Sequence, residues 1–187
     1  MKKAMFPVLW VSALGLLPIF AADPSMQPLS DITGRQKHRE RSRILVDLDG
    51  DGIRDMLLSN PLTAGNSGLD WDVYLQREGD YHRIGNLWAH SKAVSFERPA
   101  GDVHAGVIAR VWVYIRGGVG KGAFGYYHVK ESSIEELKSL EIAPDPDNGG
   151  IGANIYAATF RKSPIPFELE TSTTADDGKV SWAVDAK

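Results

Sequence analysis

The sequence predicts a mostly β domain, an antiparallel sandwich or open barrel with one short helix. Three observations lead there. Short apolar runs such as Ile44-Leu45-Val46, Met56-Leu57-Leu58 and Trp71–Gln76 are bounded by Asp, Gly and Asn, which is the pattern of strands between turns. Val107–Arg116 and Ala123–Lys130 flank the glycine-rich segment Gly117–Gly122 and form the clearest hairpin of the chain. Only Glu131–Leu140 (ESSIEELKSL) has helical spacing, with Ile134, Leu137 and Leu140 on one stripe and Ser132 or Ser133 as caps.

Taken in order, the chain opens with Lys2 and Lys3, an apolar stretch from Phe6 to Phe20, and the small residues Ala21 and Ala22. This reads as a signal peptide over residues 1–22, because the apolar run is shorter than a membrane span and polar sequence follows at once. Removing it leaves 165 of the 187 residues, enough for one domain, and takes the net charge from −3 to −5. That balance gives no basic footprint for nucleic acid. With no cysteine in the chain, disulfide scaffolds and cysteine nucleophiles are excluded. Export of a cysteine-free domain calls for another source of stability, and a bound metal is one.

Residues 23–40 read as a flexible, basic lead-in, with Pro24 and Pro28 and little apolar pattern. Arg35, Lys37, Arg39, Arg41 and Arg43 recur at every second position, so a strand would carry them on one face. A solvated edge strand protected from aggregation is the preferred reading over a docking stripe for anionic lipid or polysaccharide.

The single domain over residues 41–187 is organised around Asp47-Leu48-Asp49-Gly50-Asp51-Gly52-Ile53-Arg54-Asp55. Carboxylates at relative positions 1, 3, 5 and 9 curl a short loop around a hard cation, and calcium takes six to eight oxygens. Gly52 at position 6 allows the sharp turn, and position 7 offers the carbonyl of Ile53, with its side chain free to face inward. The expected metal ligands are therefore Asp47, Asp49, Asp51, Ile53 and Asp55, with Ca2+ as the ion. Position 12 is Leu58, where an EF-hand has its bidentate Glu, and the flanks are strands, not helices.

A strand–DxDxDGxxD–strand unit followed by Gly65–Gly68 and Trp71-Asp72-Val73-Tyr74-Leu75 resembles one FG-GAP/VCBS-type repeat, over residues 44–85. The resemblance implies a calcium-stabilised β unit. It occurs once, whereas a closed propeller needs about four to eight blades.

Beyond it, Trp71–Gln76 and Tyr81–Gly85 are strands joined by Arg77-Glu78-Gly79-Asp80. The 117–122 turn contains glycines, but a strand follows it and the P-loop pattern is incomplete, so no nucleotide site is expected. A hairpin symmetric about this turn puts Val111, Val113, Ile115, Phe124 and Tyr126 on one apolar face. Arg110, Trp112, Tyr114, Arg116 and Tyr127 then share the other, as a possible face for a sugar ring or protein partner, or as further core. Asp145–Gly150 reads as a turn, Ile151–Arg161 as a core strand, and Val180–Val184 as a closing strand.

No HExxH, no G-x-S-x-G and no tight His spacing is present among His38, His82, His90, His104 and His128. His104 beside Asp102 and Arg110 is the one polar cluster to watch. The sequence thus points to a secreted or periplasmic, calcium-binding, non-catalytic binding or structural module, with no stable membrane span after leader cleavage. Its partner would be a protein or polysaccharide of the cell envelope or exterior. A small secreted hydrolase with structural calcium and an inhibitor or immunity-type protein of another exported protein are the alternatives.

Overall fold

In the computed structural model, residues 23–26, 40–65, 68–100, 106–116, 122–142, 160 and 163–185 are described. Among the described residues ten strands follow one another: β1 (Ser42–Val46), β2 (Asp55–Gly65), β3 (Gly68–Arg77), β4 (Asp80–Ala89), β5 (Val94–Glu97), β6 (Val107–Arg116), β7 (Gly122–Lys130), β8 (Ile134–Ile142), β9 (Phe167–Thr174) and β10 (Val180–Val184). They make two antiparallel sheets, a six-stranded one in the order β10-β9-β1-β2-β3-β4 and a four-stranded one in the order β5-β6-β7-β8. The arrangement is open, not closed into a barrel, as the sandwich reading expects.

Period-two patterning explains how the sheets meet. Trp71, Val73 and Leu75 alternate along β3 and are all but fully buried, as are Ile44 and Val46 on β1. They form one apolar cluster with Phe96 of β5, Val111 and Val113 of β6, and Tyr127 and Val129 of β7, so the inner faces of the two sheets share a core. Trp71 satisfies its one polar atom by donating Nε1–H to the Ala89 carbonyl at 3.0 Å.

Local chemistry sets the connections. Glu78 and Gly79 both take positive φ, the geometry of a two-residue hairpin turn between β3 and β4. Gly68 sits at φ +138°, and a Cβ there would lie 2.7 Å from the backbone of Ala89.

Three expectations need correction. Residues 131–140 are not helical, because Ile134–Ile142 pairs along β7 as β8, with a bulge between the Tyr126 and Tyr127 positions. Pairing along β7 outweighs the helix propensity that Glu, Leu and Lys give ESSIEELKSL. Arg41 and Arg43 do not decorate a solvated edge either. β1 lies between β2 and β9, Arg41 is buried, and Arg43 pairs with Glu170 while its guanidinium lies 4.3 Å from the Trp182 ring centroid. At the start of the lead-in, Pro24–Met26 forms a 3-10 turn whose Ser25 is fully buried and accepts a hydrogen bond from Arg43 Nη1. Residues 1–22, 27–39, 143–159 and 161–162, with the leader, most of the basic stripe and the expected 151–161 strand (Phe160 excepted), lie outside the described residues.

Candidate metal centre

The acidic segment is the connection between β1 and β2, whose pairing brings Val46 opposite Asp55 and Leu45 opposite Met56. Eight residues, 47–54, must therefore leave one strand and return beside it. Gly50 and Gly52 make this possible, each at φ +86°.

The aspartates build the rest of the loop. Asp47 Oδ1 accepts the Gly50 amide at 2.6 Å, Asp49 Oδ1 the Asp51 amide at 3.1 Å, and Asp51 Oδ1 the Ile53 amide at 2.7 Å. Each is a local side chain-to-backbone bond that holds a turn without secondary structure. One ligand oxygen from each of Asp47, Asp49 and Asp51 lies within 4.8 Å of the other two. Oxygens that share one hard cation fall within about 5 Å of one another, so these three carboxylates could hold a metal ion.

Asp55 is placed differently. Its side chain is buried, and its carboxylate accepts two backbone amides, Leu48 at 2.9 Å through Oδ2 and Gln76 at 2.9 Å through Oδ1. It does not join the three converging carboxylates; it ties the entry of the loop to its exit and to β3. Burial pushes its pKa up to about 6, because desolvation outweighs the two amides that favour the charged form. Ile53 enters the loop through its amide, and its side chain, expected to face inward, is 46% exposed.

Two arginines complete the site, and neither was singled out in the sequence. Arg77, the last residue of β3, brings Nη2 to 2.6 Å from Asp49 Oδ2, with Nη1 3.9 Å from both Asp51 Oδ2 and Asp55 Oδ1. Arg98 places Nη2 3.3 Å from Asp47 Oδ2 and donates to the Asp47 carbonyl at 3.1 Å. The two guanidiniums supply positive charge to the cluster from within the protein.

No family model, curated protein or solved structure matches the chain.

The second candidate face is rearranged. β6 and β7 pair with Val111 opposite Tyr127, Trp112 opposite Tyr126 and Tyr114 opposite Phe124, one residue away from the expected register. Gly122 belongs to β7, so the turn is one residue shorter than the glycine run suggests, and a one-residue slip exchanges the faces. Tyr127 thus belongs to the core with Val111, and Tyr126 takes its expected place beside Trp112, with ring centroids 4.3 Å apart. On the same outer face Phe124 stacks on Phe160 and Arg110 pairs with Glu97. Trp112 and Tyr114 are half-buried, and the side chain of Arg116, at the end of β6, lies outside the described residues.

Among the histidines, His82 and His90 are exposed, whereas His128 is buried with its Nε2 3.2 Å from the Tyr126 hydroxyl. His38, Asp102 and His104 lie outside the described residues.

Proposed function

We propose that this chain is an exported, calcium-binding module with a non-catalytic binding or structural role in the periplasm or at the cell exterior. One observation carries the reading: three carboxylates, Asp47, Asp49 and Asp51, converge to within 4.8 Å on a loop whose backbone they themselves fold. The sequence pattern supports calcium over softer metals, since the donors are all oxygen and no cysteine is available. The hairpin placement, between β1 and β2, suits a single FG-GAP/VCBS-type unit serving as a clip and not as a propeller blade.

In this reading Asp47, Asp49 and Asp51 supply carboxylates and Ile53 its carbonyl. Asp55, at the position where such loops often act through water, is the clamp that fixes the loop's two ends. The leader-like residues 1–22 support export, where weak affinities of about 10⁻⁴–10⁻³ M suffice for extracellular calcium modules. The partner is a protein or polysaccharide met there.

Calorimetric titration tests the assignment. The expected result is one calcium ion per chain with no comparable heat from magnesium. A flat calcium titration at millimolar ion would refute it.

A further inference from the structure

The oxygens of the loop divide by task. In Asp47, Asp49 and Asp51 every Oδ1 accepts a backbone amide of the loop, and every Oδ2 faces an arginine: Arg98 for Asp47, Arg77 for Asp49 and Asp51. Taken with the amides on Asp55, all four carboxylates are already engaged within the protein. The arginines come from separate elements, Arg77 from the end of β3 in the six-stranded sheet and Arg98 from just after β5 in the four-stranded one. Gly50 keeps the path to Asp47 clear, since a Cβ there would sit 3.1 Å from Arg98 Nε.

We propose that Arg77 and Arg98 are built-in counter-cations of the loop, which a metal ion must displace from the Oδ2 atoms, and that Arg77 sets how tightly the loop holds calcium. The inference rests on the calcium reading and adds to it the group that opposes binding. Like charges cannot share one set of acceptors at contact distance, so the guanidinium and the ion compete for the same oxygens. Arginine does not lose its proton, so the competition persists at every pH at which the carboxylates are charged. Arg77 has the stronger hold, at 2.6 Å from an Asp49 carboxylate that is itself mostly covered; Arg98 touches Asp47 alone, at 3.3 Å. The result is a loop that stays folded without metal and binds calcium weakly. Bound calcium would release Arg77 from the loop.

The test is calcium titration of the intact protein beside Arg77→Gln, Arg98→Gln and Arg77→Lys, each also melted in chelator. Arg77→Gln is expected to bind calcium roughly fivefold or more tightly than the parent, the scale of a modest coupling between two competing ligands. Arg98→Gln should gain less, and Arg77→Lys, which keeps a charge, should fall between Arg77→Gln and the parent. In chelator Arg77→Gln should melt lower than the parent, and calcium should close that gap. Binding by Arg77→Gln alone would also support the proposal, with the guanidinium excluding the metal outright. If the parent binds one calcium and Arg77→Gln binds it equally or more weakly, the proposal is overturned and the calcium reading stands. If neither binds, both fall together.

Discussion

Asp55 Oδ2 accepts the backbone amide of Leu48 at 2.9 Å, joining the first residue of β2 to the second residue of the acidic loop. Through Oδ1 the same carboxylate holds Gln76 of β3. Asp55 is therefore a structural residue first, although it belongs to the same sequence motif as three less buried aspartates. Replacing it by Ala leaves two amides without their acceptor, each costing about 1–3 kcal/mol when buried. Asp55→Ala is expected to lose roughly 2–5 kcal/mol by urea denaturation, equally in calcium and in chelator. A loss confined to calcium-containing buffer would instead make Asp55 a ligand.

The same carboxyl gives a pH signature. Its pKa near 6 lies above the ordinary aspartate value, and the first cause is burial. The folded state then binds the proton more tightly than the unfolded chain. The stability from this group is fully present below about pH 4 and is lost as the pH rises through about 6. In chelator, the Asp55 carboxyl carbon followed by NMR should titrate with a midpoint near 6. A midpoint near 4 would show that the two amides fully offset burial.

On the four-stranded sheet, the paired register makes Tyr127 a core residue and Trp112 an outer one. Tyr127→Ala is expected to cost about 3–5 kcal/mol, the range for emptying a large buried side chain. Trp112→Ala, which gives up a half-buried ring packed on Tyr126, should cost less in the same denaturation experiment. The opposite order would restore the symmetric-turn register.

Gly68 offers a backbone test of the β2–β3–β4 meander. At φ +138°, with the Ala89 backbone 2.7 Å from where a Cβ would stand, alanine has neither the conformation nor the room. Gly68→Ala should destabilise by about 2–4 kcal/mol. Wild-type melting of this variant would mean that the Gly68 and Ala89 backbones are not held in close contact.

How much of this was legible in the sequence follows from the range of the interactions. Local signals read through: the strands around the acidic loop, the β3–β4 turn at Glu78-Gly79 and the closing strand Val180–Val184 all rest on neighbouring residues. What failed depended on distant pairing. Nothing near Arg41 and Arg43 announces that β9, more than 120 residues later, will cover their strand. Nothing within ESSIEELKSL tells that β7 will recruit it as a strand. The hairpin faces were lost to a single glycine, Gly122, which pairs with Arg116 instead of turning. At the candidate site the spacing revealed the carboxylates but not the arginines. Arg77 was visible as a turn residue only, and an arginine at the exit of the strand that packs beside an acidic loop is the signal that could have found it.

The most direct measurement is thermal unfolding of the wild-type protein and of Asp49→Ala, each in calcium and in chelator. Asp49 contributes a converging carboxylate but no contact to the apolar core. With calcium about 100-fold above its Kd, the wild type should gain roughly 2.7 kcal/mol, and Asp49→Ala should gain none. If the wild type melts at the same temperature in calcium as in chelator, the loop is a turn closed by its own arginines, and calcium has no part in holding this protein together.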